Sequence, residues 1–144
     1  MTGPTCPCVQ ILSVYQAAVL VKNADALSAL YDDDVCIFDL WGSWSIHGLT
    51  NWRTMIQEWF ASLGNEQVTV DFQQVQSFSS GDLAIGHALL TFTAHSAQGE
   101  ILRSFTNRIT LALKSDGNAW KIIHEHTSVP IHPDSMKAIT TFMS

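Results

Sequence analysis

Charge is scarce in this chain of 144 residues, and positive charge is the scarcest. Charged residues make up 14% of it, with 7 Lys and Arg against 13 Asp and Glu, so the formal net charge is −6 at pH 7. The usual charged share is about 25%. So few positive charges do not form the basic surface that meets phosphates, which argues against nucleic acid as a partner.

Cysteine, signal-peptide features and cofactor motifs are also sparse. Three Cys are too few for a disulfide framework, and the Cys6-x-Cys8 pair has no second pair to complete a metal site. No Lys or Arg precedes Lys22, and the apolar stretch from Ala17 to Val21 is far too short to cross a bilayer. The chain has no G-x-G-x-x-G and no P-loop. We therefore expect a cytoplasmic protein with no membrane contact, no metal and no cofactor.

Apolar residues are plentiful. They make up 47% of the chain, and five Trp and seven Phe are among its aromatic residues. A chain of this length forms one domain. Because it carries more apolar residues than one core of this size needs, we expect the surplus to form a pocket, a subunit interface or both.

Helical spacing of apolar residues predicts helices in the first half of the chain. The first runs from Val9 to Lys22. Asp25 is predicted to cap a second, Ala26–Leu30, which Tyr31–Asp34 would end. Thr50 or Asn51 is predicted to cap a third helix that reaches about Leu63. Its apolar stripe is interpreted as core rather than as a binding surface; the stripe consists of Trp52, Met55, Ile56, Trp59, Phe60 and Leu63.

Strand patterns dominate the second half. An isolated strand, Val35–Trp41, precedes the third helix, with Asp39 and Trp41 on the same face as Ile37. Four alternating segments separated by turn-like sequences follow it: they are Val68–Phe78, Leu83–Ala94, Ile101–Lys114 and Trp120–Val129. The order predicts an α+β domain with helices on one face of a curved antiparallel sheet. We expect a flexible N-terminus (1–8), a single domain (9–132) and a C-terminal tail (133–144).

Two stretches of sequence resemble the nuclear transport factor 2-like superfamily. Tyr31-Asp32-Asp33-Asp34-Val35, with Asp39, Gly42-Ser43 and Gly48, resembles a stretch of the ketosteroid isomerases. Asp116-Gly117-Asn118-Ala119-Trp120, continuing through His124-Glu125-His126 to Pro130, is similar to the ending common among SnoaL-like proteins, which include polyketide cyclases. The resemblance implies a cone-shaped sheet around three helices, a deep apolar pocket, and a homodimer formed through the outer sheet face.

The resemblance also implies a function and two catalytic residues. It implies a small-molecule pocket protein, with cofactor-free isomerisation, cyclisation or dehydration of an apolar carbonyl compound. The alternative is a non-catalytic ligand-binding or association domain. Asp39 matches the general base, and burial is expected to raise its pKa. Tyr15, 24 residues earlier, matches the tyrosine that donates to the enolate oxygen; its alternative is a core tyrosine. The segment Ile101–Lys114 contains no acid to match the second acid of ketosteroid isomerases.

Further polar and aromatic residues are predicted to line the pocket. A turn centred on Asp116-Gly117 would place Arg108 opposite Glu125 on one face, either as a ligand-binding pair or as a structural ion pair. His87 is predicted to project inward between small neighbours, or to be a satisfied sheet histidine. The remaining predicted pocket residues are Trp41, Trp52 and Thr127. His124 and His126 would lie on the opposite face, where interface residues are favoured over metal ligands.

Overall fold

Three helices and six strands make up the described part of the chain, residues 6–142 of this computed structural model. The elements are α1 Pro7–Leu20, α2 Ala24–Ser28, β1 Tyr31–Phe38, β2 Ile46–His47, α3 Leu49–Leu63, β3 Gln67–Ser80, β4 Leu83–His95, β5 Ile101–Ser115 and β6 Trp120–Ser128. One sheet contains all six strands in the order β2-β1-β6-β5-β4-β3. The sheet is curved and unclosed, and the helices cover its inner face, which confirms the predicted α+β class.

The sheet is antiparallel except where β1 joins β6. These two strands run parallel, with Ile37 beside Glu125 and Phe38 beside His126. Strand β1 therefore lies against the end of the chain, although it precedes β6 by more than 80 residues in sequence. This pairing brings the residue after β1, Asp39, next to the inward side chains of β6.

Helix α1 begins at Pro7, two residues before the predicted start, and proline suits a first helical position. Cys8 is fully buried against β4. A Cβ added at Gly86 would lie 2.7 Å from Cys8 Cβ, so only glycine permits this close approach of helix and sheet. Most of the flexible segment predicted at 1–8 lies outside the described residues, which begin at Cys6.

Helix α2 is capped by Asn23, whereas the sequence predicted Asp25 as the cap. The Asn23 side chain accepts a hydrogen bond from Ala26 N at 3.0 Å, so the helix begins two residues earlier than expected. Tyr31–Asp34 does not end the helix but forms the first half of β1. The Ile122 amide donates to the Leu30 carbonyl at 2.8 Å and so draws this segment into the sheet.

Helix α3 begins at Leu49 after Gly48, and neither Thr50 nor Asn51 caps it. The Gly48 amide donates to the Val35 carbonyl at 2.8 Å, which fixes the turn against β1. Gly48 has φ of 86°, a conformation that glycine adopts at little cost. The helix buries Trp52, Ile56, Phe60 and Leu63, as the apolar stripe predicted; Met55 is exposed.

The outer face of the sheet carries exposed apolar side chains. Phe78, Leu83 and Ile85, from β3 and β4, are 60%, 51% and 50% exposed. The homodimer expected through this face stays a prediction. None of the helices in residues 6–142 is long and apolar enough to span a membrane.

The C-terminal segment turns back onto the sheet. An isolated bridge joins Ile131 to Ala138, and the Thr106 amide donates to the Thr140 carbonyl at 2.8 Å. Strand β6 ends at Ser128, so the first part of β5 has no β6 partner. The C-terminal segment lies beside that part of β5 instead.

Candidate functional site

A cavity of about 550 Å³ lies between the helices and the inner face of the sheet. Its walls are mainly apolar, and they come mainly from α3 and from inward residues of β3 and β4, with Leu27 from α2. The apolar residues of the walls are Leu27, Trp52, Met55, Ile56, Trp59, Leu63, Val68, Leu90, Phe92 and Ala94. The stripe of α3 therefore lines this cavity as well as the core, whereas the sequence favoured core alone.

The mouth of the cavity is aromatic. Trp41 is 60% exposed there, and its ring lies 5.3 Å from that of Phe105. Arg103 also borders the mouth, where its guanidinium donates to the Glu66 carboxylate at 2.6 Å. Trp44, which follows in the same loop, is 97% exposed and is not among the cavity residues.

Asp39 is held at the cavity wall by the start of the next loop and by β6. Its carboxylate accepts from the Trp41 amide at 3.3 Å and from the Thr127 hydroxyl at 3.2 Å. The Thr127 oxygen in turn accepts from the Leu40 amide at 3.0 Å. Burial raises the pKa of Asp39 above its ordinary value, as the sequence predicted, and the two hydrogen bonds only partly oppose the rise.

Glu125 lies deeper, on the inward face of β6, and is fully buried. Its Oε1 accepts from the Tyr31 hydroxyl at 2.6 Å, a short bond between two buried groups. Burial raises the pKa of Glu125 to about 7, the Tyr31 hydrogen bond opposes this rise, and the nearby Asp39 carboxylate adds to it. Glu125 is therefore a carboxyl group that exchanges its proton near neutral pH.

Tyr15 projects from α1 into the same region. Burial raises the pKa of Tyr15 well above its ordinary value, and the charges of Glu125 and Asp39 raise it further. Its phenol is therefore neutral and able to donate a hydrogen bond. Within residues 6–142 the Tyr15 hydroxyl has no hydrogen-bond partner, so its proton is available to a ligand in the cavity.

Two more polar groups in the cavity lack partners. The Asn107 side chain is 6% exposed, and its Oδ1 has no hydrogen bond within the described chain. The indole N–H of Trp52 is also buried without a partner of hydrogen-bond geometry, although it lies close enough to the Tyr31 hydroxyl to lower the pKa of that group. A buried polar group without a partner costs about 1–3 kcal/mol. Groups of this kind in an apolar cavity are able to bind the polar atoms of a ligand.

Asn107→Leu is expected to stabilise the ligand-free protein while weakening ligand binding. The substitution removes a buried amide whose oxygen has no partner and keeps a similar volume, so the free energy of unfolding should rise by about 1–3 kcal/mol. Urea unfolding measures this difference. Asn65→Leu, at an exposed position, is the matched control. Destabilisation by Asn107→Leu would show that the amide supports the fold instead.

Most of the predicted site residues meet in this cavity. Tyr15, Asp39, Trp41, Trp52, Glu125 and Thr127 all line it. The other two, His87 and Arg108, lie outside it. His87 is exposed on the outer face of β4, because inward and outward positions alternate along the strand and its neighbour Ala88 is an inward, buried residue. Arg108 is exposed on the outer face of β5, where its Nε donates to Ser128 at 3.0 Å.

The predicted Arg108–Glu125 pair is wrong because the register differs. The turn spans four residues, Asp116 to Ala119, and β6 has a one-residue bulge at Ile123. Arg108 consequently pairs with Ser128, and Glu125 pairs with Leu111. An odd shift in register moves a side chain to the other face, so the two residues lie on opposite sides of the sheet. The observed partner of Glu125 is Tyr31.

Sequence reasoning missed Tyr31 and the role of Asn107. Tyr31 was interpreted as the end of a helix. The signal for a strand was that Tyr31 shares the alternating pattern of apolar residues with Val35 and Ile37. Asn107 was not among the predicted pocket residues. A buried asparagine among apolar inward positions was the available signal.

His124 and His126 lie on the outer face, as predicted. The Nδ1–H of His124 donates to the Cys36 carbonyl at 2.7 Å, and both rings contact Phe38 edge to face, at 5.0 and 5.6 Å. In residues 6–142 no three His, Cys, Asp or Glu side chains form a metal-binding group.

A family model describes this architecture. The model of the SnoaL-like domain matches residues 9–132, most of the chain. The chain belongs to the SnoaL-like domain family. Its place in the nuclear transport factor 2-like (NTF2-like) superfamily, predicted from the motifs around Asp39 and Glu125, is thereby confirmed. No curated protein matches the sequence.

Solved structures share the fold of this SnoaL-like domain. An NTF2-like protein of unknown function from Pseudomonas putida is 22% identical, with 95% of this chain and 94% of that one covered, at a TM-score of 0.82. A putative dehydratase from the NTF2-like family of Streptomyces avermitilis is 14% identical (85% and 93% covered, TM-score 0.71). A putative calcium/calmodulin-dependent protein kinase II association domain from Xanthomonas campestris is 16% identical (88% and 86%, 0.71). At these identities the likeness shows the fold alone.

Proposed function

We propose that this SnoaL-like protein is an enzyme that moves protons on a small, mainly apolar carbonyl compound. Asp39 removes the proton beside the carbonyl group, and the Tyr15 hydroxyl donates to the oxygen on which negative charge develops. The apolar walls of the cavity hold the carbon skeleton and exclude water, which strengthens both interactions.

The observation that supports this proposal most is the pairing of a desolvated base with an unpartnered donor in one apolar cavity. Asp39 keeps a carboxylate beside the cavity with its pKa raised towards the range useful for proton transfer. Tyr15 supplies a neutral hydroxyl that has no partner in the described chain. A structural carboxylate gains nothing from such surroundings, because burial disfavours its charge.

Hydrogen–deuterium exchange at carbon tests the proposal without a known substrate. Enolisable cyclic ketones of increasing size, from cyclohexanone to 2-decalone, are incubated with the protein in D₂O, and NMR follows the loss of the proton beside the carbonyl. We expect exchange well above the buffer rate for the ketones that fit the cavity. Exchange at the buffer rate for every ketone would contradict the proposal.

Ligand binding without catalysis is the second candidate. Asn107 and the Trp52 N–H favour it, because they call for polar ligand atoms without requiring a reaction. Since Trp41, Trp52 and Trp59 line the cavity, a bound ketone should change tryptophan fluorescence. Saturable binding without exchange would identify a binding protein.

A further inference from the structure

We infer that Glu125 is a proton donor to a leaving hydroxyl group, and that the reaction is the loss of water from a β-hydroxy carbonyl compound. The inference rests on the proposed function, since it keeps Asp39 as the base and Tyr15 as the donor to the carbonyl oxygen. It adds a second acid–base residue and a substrate class.

The first argument is the placement of two carboxyl groups on one wall. Glu125 and Thr127 both face the cavity from β6, two residues apart, so their Cα atoms are separated by about 6.7 Å. The Thr127 hydroxyl donates to the Asp39 carboxylate at 3.2 Å. Asp39 and Glu125 therefore both border the cavity, with Thr127 linking Asp39 to the strand that carries Glu125, and they are near enough for the Asp39 charge to raise the pKa of Glu125.

The second argument is the way in which Glu125 is held. Tyr31 donates to Oε1 at 2.6 Å, while Oε2 has no hydrogen-bond partner in the described chain and Glu125 borders the cavity. The Tyr31 phenol is edge to face with the Trp52 ring at 5.9 Å, so packing fixes its orientation. Tyr31 is thus a positioning residue that fixes one oxygen and leaves the other without a partner in the described chain. With its pKa at about 7, Glu125 holds a proton in much of the protein at neutral pH.

The chemistry that uses both carboxyls is an elimination. Asp39 takes the proton from the carbon beside the carbonyl, the electron pair of that C–H bond forms a C=C bond, and the C–O bond to the next carbon breaks. Glu125 gives its proton to the departing oxygen, which leaves as water. Each carboxyl then needs to lie about 3 Å from the atom it serves, and the two reacting atoms are on adjacent carbons. Asp39 and Glu125 both border the same cavity, so one substrate is able to contact both carboxyl groups.

An isomerisation makes less use of this arrangement, because a single base that removes a proton can return it to another carbon. In an isomerisation a second carboxyl, fully buried and protonated near neutral pH, serves only as a further hydrogen-bond donor to the carbonyl oxygen, a role that Tyr15 already fills in the proposed mechanism. A leaving hydroxyl group instead takes the proton itself. Asn107 adds an unpartnered amide on the same inner face, suited to a further oxygen of the substrate.

Two assays on the same variants separate this inference from the proposed function. 3-Hydroxycyclohexanone and its 5-phenyl derivative are the probes. Absorbance of the conjugated enone follows water loss, and NMR in D₂O follows exchange beside the carbonyl. Glu125→Gln keeps an acceptor for Tyr31 but has no carboxyl proton, so we expect water loss to fall about 10²- to 10⁴-fold while exchange persists. Glu58→Gln, exposed on α3, should leave both rates unchanged.

Each other outcome is decisive. Unchanged water loss in Glu125→Gln would overturn the inference, as would a wild-type protein that exchanges protons but dehydrates neither probe; both results leave the proposed function standing. Absence of exchange in the wild-type protein removes the proposed function and the inference together. Tyr31→Phe tests the positioning role: it removes the bond that lowers the pKa of Glu125, so the fall of the water-loss rate at alkaline pH should move to higher pH. A structural tyrosine would not move that profile.

Discussion

Asp39→Asn is expected to lower the rate of exchange beside the carbonyl about 10²- to 10⁴-fold, the contribution typical of a general base. The amide is nearly the same size, and its oxygen still accepts from the Trp41 amide or the Thr127 hydroxyl. It does not take up a proton near neutral pH. The loss should therefore appear in the rate, with little change in ligand affinity or in the free energy of unfolding.

The matched control for this experiment is Asp71→Asn. Asp71 is exposed on β3, outside the cavity, and the substitution makes the same chemical change. Its exchange rate should equal that of the wild type. A folded Asp39→Asn protein that retains wild-type exchange would remove Asp39 from the mechanism, whatever the rest of the cavity binds.

The stability of the wild-type protein should fall as the pH rises from about 4.5 to about 7, and Glu125 is the main reason. The folded-state pKa is about 7, against 4.5 for an ordinary glutamate, so the folded state binds more protons than the unfolded state within this window. Below the window both states are protonated and there is no penalty. Above it the folded state carries a buried charge. At about 1.36 kcal/mol for each pKa unit between the two states, the free energy of unfolding falls by about 3 kcal/mol.

Glu125→Gln should abolish this part of the pH dependence. Urea unfolding at pH 5 and pH 8 gives the free energy of unfolding of both proteins. The value for the variant should increase relative to that of the wild type as the pH rises. Glu58→Gln, which is exposed, serves as the control and should follow the wild type. Parallel wild-type and Glu125→Gln profiles would show that Glu125 is ionised in the folded protein at no cost.

The sequence predicted the fold closely, because its main elements carry regular patterns. The alternation of the four long strands and the stripe on α3 each reflect one buried face, and the motifs around Asp39 and Glu125 indicated how those elements assemble. The errors lay at boundaries that depend on the tertiary structure. The β1 segment at Tyr31 contains three adjacent Asp residues, which suggest a solvated helix end until β6 supplies its hydrogen-bond partner.

The site was predicted only in part, for a related reason. Asp39 and Tyr15 were found because their spacing matches a known motif. The predicted partner of Glu125 depended on the strand register. A four-residue turn and one bulge move Arg108 away from Glu125, and β1, which pairs with β6, supplies Tyr31 instead. Register follows from packing across strands, which one strand's sequence does not contain.

The central claim is that the cavity holds two desolvated carboxyl groups, one of which carries a proton near neutral pH. Titration of the ¹³C carboxyl signals by NMR, assigned with Asp39→Asn and Glu125→Gln, tests it directly. The structure predicts that both groups titrate above their ordinary values, with a pKa for Glu125 of about 7. Titration of both at or below those ordinary values would identify two solvated or ion-paired structural carboxylates and contradict the account.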